Sequence, residues 1–396
     1  MTRSGDHPDI RGERLGLDTM VLTLLRGLAA RDTRVDLTAI APSVIERALE
    51  LGLGPVVAHL AGTADRLPGR PYVERTRAAE LTAHALTTAA YDSLARALAV
   101  AREIECPVIL LKGAATALLY YPSPHLRPMG DIDLLVPIER RAAFEEALRR
   151  SNFRQFPIDP WVNYDDHLHS APFWDPERGV WIEVHTSVFP RDYRLAQNPR
   201  FSQAAIAAQL TPIAIRDQTA YAMNHELQLI YTSARWSEMF NPRHGVYPIL
   251  DAALLIRQHR DTLDWERILT VVRGSWAALP LHLMLWYLDE SDLSPIPSHV
   301  LHALGTRYCH LNRHSRTVLK RVISTCVIEG RFVKRNEPQL RLVWTSLVRP
   351  KSLNGYLRSV AHHVARPAVA RRIASAQRIG RAHAKDFRTG QSNPGV

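Results

Sequence analysis

Two aspartates separated by a single isoleucine stand inside an apolar run, Gly130-Asp131-Ile132-Asp133-Leu134-Leu135-Val136. This feature constrains the 396-residue chain more than any other. The run is short, rich in Leu and Val, and closed by Pro137, so it predicts a strand over Ile132–Val136. Alternate side chains of a strand share a face. Asp131 and Asp133 then project together, with Cα atoms about 6–7 Å apart, while Ile132, Leu134 and Val136 turn into a core. Two carboxylates on one face repel each other unless a cation lies between them, and oxygen ligands suit Mg²⁺ or Mn²⁺. An ordinary charged edge strand would also carry two acids. The apolar residues on both sides, and Gly130 in front, favour the metal reading.

The surrounding texture is α+β. Residues 1–105 read as helical: Val44–Leu53 and Ala78–Arg102 carry apolar residues at three- and four-residue spacing, with a break at Pro68, Gly69 and Pro71. Val108–Leu111 is a fully apolar run and reads as a buried strand. A short helix follows Gly113 and ends before Pro122. Glu139–Arg150 reads as a helix and Val180–Val184 as a third strand. After about residue 200 the chain is expected to be helical again, with Leu227–Trp236, Ile249–His259, Trp265–Val272 and Leu279–Leu288 as segments. The expected layout is an N-terminal helical region (1–105), a small mixed-sheet core (106–195), a helical domain (196–300) and a basic, largely helical extension (301–396) with a disordered end.

The third strand adds chemistry. In Trp181-Ile182-Glu183-Val184-His185 the first, third and fifth side chains share a face. Glu183 would supply a third carboxylate, and three carboxylates on neighbouring strands can hold the paired ions of an in-line phosphoryl displacement. His185 reads either as a ligand, as a partner to a carboxylate, or as a buried histidine. Gly113 lies between a strand and a helix, where backbone N–H groups can approach a phosphate. Lys112 adjoins it and is the only lysine in the first 319 residues, in a chain that otherwise uses arginine. Arg127 is placed to neutralise phosphate oxygens bidentately. His167, His169 and His185 lack the regular spacing of a dedicated zinc site and read as loop or supporting residues. Trp161, Tyr164, Phe173 and Trp174 suit either an acceptor pocket or plain packing.

The stretch Lys112-Gly113-Ala114, Tyr121-Pro122, Arg127 and Asp131 to Val136 resembles a bacterial family of uncharacterised nucleotidyltransferases within the DNA polymerase β superfamily. The resemblance extends over roughly residues 45–295. It takes in His167 or His169, Glu183 with His185, His225, an Asp-initiated helix at Asp251, and Asp264-Trp265. It implies a small mixed β-sheet nucleotidyltransferase core flanked by helical regions. It also implies that Asp131, Asp133 and Glu183 bind Mg²⁺ or Mn²⁺ and carry catalysis, and that Lys112, Gly113, Ala114, Arg127 and His185 hold a nucleoside triphosphate (NTP). The acceptor would be a small molecule or peptide, since such proteins occur in natural-product gene clusters, including those for lasso peptides. The wider superfamily has Gly-Ser or Gly-Gly at the turn. Ala114 removes a hydroxyl donor, so a nucleotide-binding scaffold without turnover is the competing expectation. A glycosyltransferase using Asp-x-Asp would need a strand–helix nucleotide unit before the motif, and that region reads as helices.

Charge divides the chain. Residues 301–396 hold 19 basic and three acidic residues, against 31 and 36 in the rest, within a net charge of +11. Such a tail favours polyanions. It lacks the aromatic interleaving that stacks bases, so nucleic acid is not the expected partner, although the tail leaves it open. No apolar run reaches the roughly 18–20 residues of a membrane span, and the N-terminus lacks a signal-peptide core. Cys106, Cys309 and Cys326 have no close spacing, which argues against a disulfide framework. The expected location is the cytoplasm.

Overall fold

The computed structural model describes residues 22–29, 36–38, 40–157, 169–189, 196, 198–238, 246–275 and 277–308. Within them the order is α1 (22–29), α2 (Pro42–Glu50), α3 (Gly54–Ala61), α4 (Arg70–Glu103), β1 (Ile109–Leu110), α5 (Lys112–Leu119), β2 (Asp131–Leu135), α6 (Arg141–Arg150), β3 (Arg154–Gln155), β4 (Phe173–Asp175), β5 (Val180–His185), α7 (Gln203–Ala207), β6 (Leu210–Ile215), β7 (Gln218–Met223), α8 (His225–Glu238), α9 (Val246–Gln258), α10 (Trp265–Val272), α11 (Ala278–Glu290) and α12 (Ser298–Tyr308). The basic extension beyond 308, Trp161, Tyr164 and His167 lie outside the described residues.

The described residues form two compact units. One holds Ala89–Leu111 and Gly130–Ala222, and its centre is a seven-stranded sheet ordered β3-β4-β5-β2-β1-β7-β6. Strand β2 pairs in parallel with β5 over five residues and antiparallel with β1, and β1 pairs in parallel with β7. The sheet is therefore mixed, as the sequence predicts. A parallel pair requires a crossover. Here α6 and the β3–β4 pairing intervene between β2 and β5. The turn into β5 needs Gly179, whose φ of 69° is left-handed and whose N–H reaches Asp175 O at 2.8 Å.

Ile132, Leu134 and Val136 are buried, as alternation demands, and so are Ile182 and Val184. A single side chain fastens the ends of the central strands. Gln203 Nε2 donates to Val136 O and to Thr186 O, both at 2.8 Å, while its Oε1 accepts from Ile138 N at 3.1 Å. The carbonyl ends of β2 and β5 therefore share one amide. At the β4 side, fully buried Asp175 accepts from Arg96 Nη1 of α4 at 2.5 Å and from Glu177 N at 3.0 Å.

The expectation of an all-helical chain after residue 200 is corrected by β6 and β7. Their alanines suit a helix, yet Arg216-Asp217 makes a two-residue connection with Arg216 at φ 56°. Burial then alternates along β7, with Gln218, Ala220 and Ala222 inside and Thr219 exposed. Pairing with β1 outweighs the helix propensity of alanine. The short strands β3 and β4 also lie where no strand was expected.

The other unit holds described residues up to Thr88, Lys112–Met129 and 223–308, and is helical. Helix α8 packs against α9, α10 and α11, and α12 against α11 and α10. Asp264 caps α10 by accepting from Arg267 N at 2.9 Å, which accounts for its place before Trp265. The helix expected over Val44–Leu53 ends at Glu50, as α2, and Gly52, whose φ is 80°, lies in the turn before α3.

Candidate active site

The parallel register of β2 and β5 builds the site. It sets Asp131 opposite Trp181, Asp133 opposite Glu183, and Leu135 opposite His185. Because aligned residues of a parallel pair share a face, the second aspartate and the glutamate are held side by side by backbone bonding. His185 Nε2 lies 2.8 Å from Asp133 Oδ1 and 3.4 Å from Glu183 Oε2. With its proton on Nε2 the imidazole donates to the aspartate. Ligand atoms of Asp133, Glu183 and His185 all fall within 4.8 Å of one another. Asp133 and His185 are buried, and Glu183 is half-buried.

Asp131 stands on the same strand two residues earlier and is exposed. It is not one of the three converging groups, whereas His185 is. His169, in a bridge to His185, adds a second ring 5.1 Å from the first and places Nε2 3.6 Å from Glu183 Oε2. Two carboxylates beside an imidazole are a donor set that fits a divalent cation. The oxygens suit Mg²⁺ or Mn²⁺, and the nitrogen tolerates Mn²⁺ better than Mg²⁺. Phe173 and Trp174 are packing residues: both are buried in β4, and Trp174 lies against Trp181 with ring centroids 4.8 Å apart.

The phosphate-turn residues belong to the helical unit. Lys112 opens α5 with φ at 47°, a left-handed conformation that is uncommon for a side-chain-bearing residue. Gly113 and Ala114 follow in the first turn and are buried. Two side chains crowd the glycine. A Cβ there would sit 3.0 Å from Met129 Cγ and 3.2 Å from Arg127 Nη1.

Arg127 is engaged by a buried carboxylate. Its Nε lies 3.0 Å from Asp251 Oδ1 and its Nη2 3.1 Å from Oδ2, and Tyr121 Oη donates to Oδ1 at 2.7 Å. The guanidinium also stacks 4.8 Å over the Tyr247 ring. Burial is the largest single influence and works against its charge, but Asp251, together with the Tyr121 and Tyr247 hydroxyls, holds the Arg127 pKa above the usual range. Burial, then Asp251, push the Tyr121 hydroxyl well up, so it stays a proton donor. Asp251 was expected to begin a helix. It lies inside α9 instead, where it is buried against Arg127. No local pattern marks that pairing, because the partners are 124 residues apart. His225 begins α8 and stacks on His259 at 3.6 Å, with Tyr120 Oη 3.1 Å from its Nδ1.

The model of a family described as uncharacterised nucleotidyltransferase matches residues 41–291, well over half of the chain. A crystal structure of an antigenic nucleotidyltransferase-like protein from Paracoccidioides brasiliensis is similar at 16% identity, with a TM-score of 0.34. The likeness covers 55% of this chain and 96% of that one. No curated protein matches the chain. No helix among the described residues is long and apolar enough to cross a membrane.

Proposed function

Because the chain belongs to the family of uncharacterised nucleotidyltransferases, we propose that it transfers a nucleoside monophosphate from an NTP to a small-molecule or peptide acceptor. The acceptor presents a hydroxyl or similar nucleophile, and pyrophosphate is released. The observation that carries this reading is the register pairing of Asp133 with Glu183, with His185 closing the group to within 4.8 Å.

Asp133 and Glu183 would hold Mg²⁺ or Mn²⁺, with Asp131 contributing from the exposed end of β2. A divalent ion held there supplies charge neutralisation for the triphosphate. Glu183, half-buried, takes the proton of the acceptor nucleophile as it attacks the α-phosphorus. His185 orients Asp133 through the 2.8 Å contact, and its burial keeps that carboxylate in one rotamer. Lys112 and the backbone of Gly113 and Ala114 receive the β- and γ-phosphates. Arg127, committed to Asp251, acts by packing against Gly113 and fixing the turn.

A nucleotide-binding scaffold is the second reading. It is favoured by Ala114, which offers no hydroxyl, and by the commitment of Arg127 to Asp251. NTP labelled at the γ-phosphate, incubated with Mg²⁺ and fractionated acceptor from a producing cell, tests the reaction. Labelled pyrophosphate formed by the wild type but not by Asp133→Asn supports α-phosphorus attack. Label carried onto the acceptor, or released as orthophosphate, with a nucleoside diphosphate left behind would overturn it in favour of γ-phosphoryl chemistry.

A further inference from the structure

Helix α4 carries Glu80 and His84 four residues apart, hence on one face. The turn at Pro124–Leu126 brings His125 to them, and ligand atoms of the three lie within 4.8 Å of one another. His125 is only 7% exposed. Its Nδ1 is 2.7 Å from Ser123 Oγ, while its buried Nε2 has no hydrogen-bond partner. A buried ring nitrogen without a partner is costly and calls for an explanation. The Ser123 contact is the kind of outer hydrogen bond that fixes a ligating histidine, protonated on the far nitrogen and lone-paired on the near one.

We propose that Glu80, His84 and His125 form a transition-metal site of the zinc class that shares no residue with the Asp133 group. The donor set is right for it: two imidazoles and one carboxylate suit zinc, nickel or cobalt rather than magnesium. Burial, then the neighbouring His84, lower the His125 pKa. Glu80, His84 and His125 would supply three donors, with water completing the coordination. Glu80 already accepts from Arg77 through Oε2 at 2.6 Å, but a carboxylate has a second oxygen for an ion.

The rings of His84 and His125 stack at 3.5 Å with planes 25° apart. In-plane lone pairs of stacked rings do not converge on one ion. Tetrahedral zinc with bonds of about 2.0–2.1 Å sets donor atoms about 3.3 Å apart. Loading therefore turns His84, the exposed member, out of the stack while His125 stays fixed. The ion would tie α4 to the loop between Tyr121 and Asp131, within the helical unit.

Visible absorption of the full chain titrated with Co²⁺, followed by displacement with Zn²⁺, tests the site without any catalytic readout. One equivalent with the intense bands of a low-coordinate complex is expected in Asp133→Asn/Glu183→Gln, and the wild type should show those bands too. The binding that gives them should weaken at least about 100-fold in Glu80→Gln/His84→Ala. His84 is exposed and Glu80 half-buried on α4, and the two substitutions should leave the far-ultraviolet circular dichroism unchanged. Ser123→Ala should weaken binding about 10-fold through loss of the ring's orientation. Wild type without a bound equivalent would overturn the proposal. So would full retention in Glu80→Gln/His84→Ala, or loss in Asp133→Asn/Glu183→Gln instead.

Discussion

Asp251→Asn removes the carboxylate that compensates a buried guanidinium. Asp251 keeps 5% of its side chain exposed and Arg127 14%, so solvent screens the pair little. Three contacts to Asp251 are lost or weakened at once: Arg127 Nε at 3.0 Å, Arg127 Nη2 at 3.1 Å and the Tyr121 hydroxyl at 2.7 Å. Breaking one side of a buried pair costs about 3–5 kcal/mol, mostly because the other charge stays behind without compensation. Asn keeps one acceptor oxygen, which places the expected loss near about 3 kcal/mol. With a urea m-value of about 3 kcal/mol/M, the denaturation midpoint should fall by about 1 M. The double variant Arg127→Met/Asp251→Leu removes both charges and should be less destabilised than Asp251→Asn, since an apolar replacement of a buried pair is often near neutral. Urea denaturation of the three proteins decides it. A cost below about 1 kcal/mol for Asp251→Asn, or a double variant as unstable as the single one, would refute the reasoning.

Three further outcomes follow from the geometry. Gly113→Ala forces Met129 and Arg127 to give way and should cost about 1–3 kcal/mol in urea denaturation, with NTP affinity falling in parallel. Gln203→Ala strips the shared amide from Val136 O, Thr186 O and Ile138 N and should cost about 2–3 kcal/mol, seen as faster hydrogen exchange at Ile138. Burial lowers the pKa of His59, His125, His225 and His259 in the folded chain. The unfolded chain then binds more protons below about pH 6.5, so stability is full above that pH and is lost as pH falls towards 5. Urea midpoints measured from pH 8 to pH 5 should decline on the acidic side, and a flat or rising profile would contradict this.

The central strand was legible because its pattern is local. Asp131 to Leu134 alternates, its apolar members are buried, and the partner carboxylate Glu183 stands in a second alternating run. Helix α10 was legible over Trp265–Val272, where the apolar spacing is helical. The hairpin β6–β7 was not, because its alanines favour a helix and only pairing with β1 decides otherwise. Nor could the sequence show that Arg127 is spent on Asp251, or that His125 meets Glu80 and His84. Those meetings join residues 124 and about 40 positions apart, and depend on helix packing rather than on spacing. The pairing of His185 with Asp133 lies between these cases. Strand alternation put both on one face, and the parallel register then brought them to 2.8 Å.

The most direct measurement is calorimetric titration of each NTP into the full chain, with and without Mg²⁺, for wild type and Asp131→Asn/Asp133→Asn. The account predicts binding of at least one NTP that requires Mg²⁺ and is lost in the double variant. Binding that survives the substitutions, or wild type that binds none of the four with Mg²⁺ present, would contradict it.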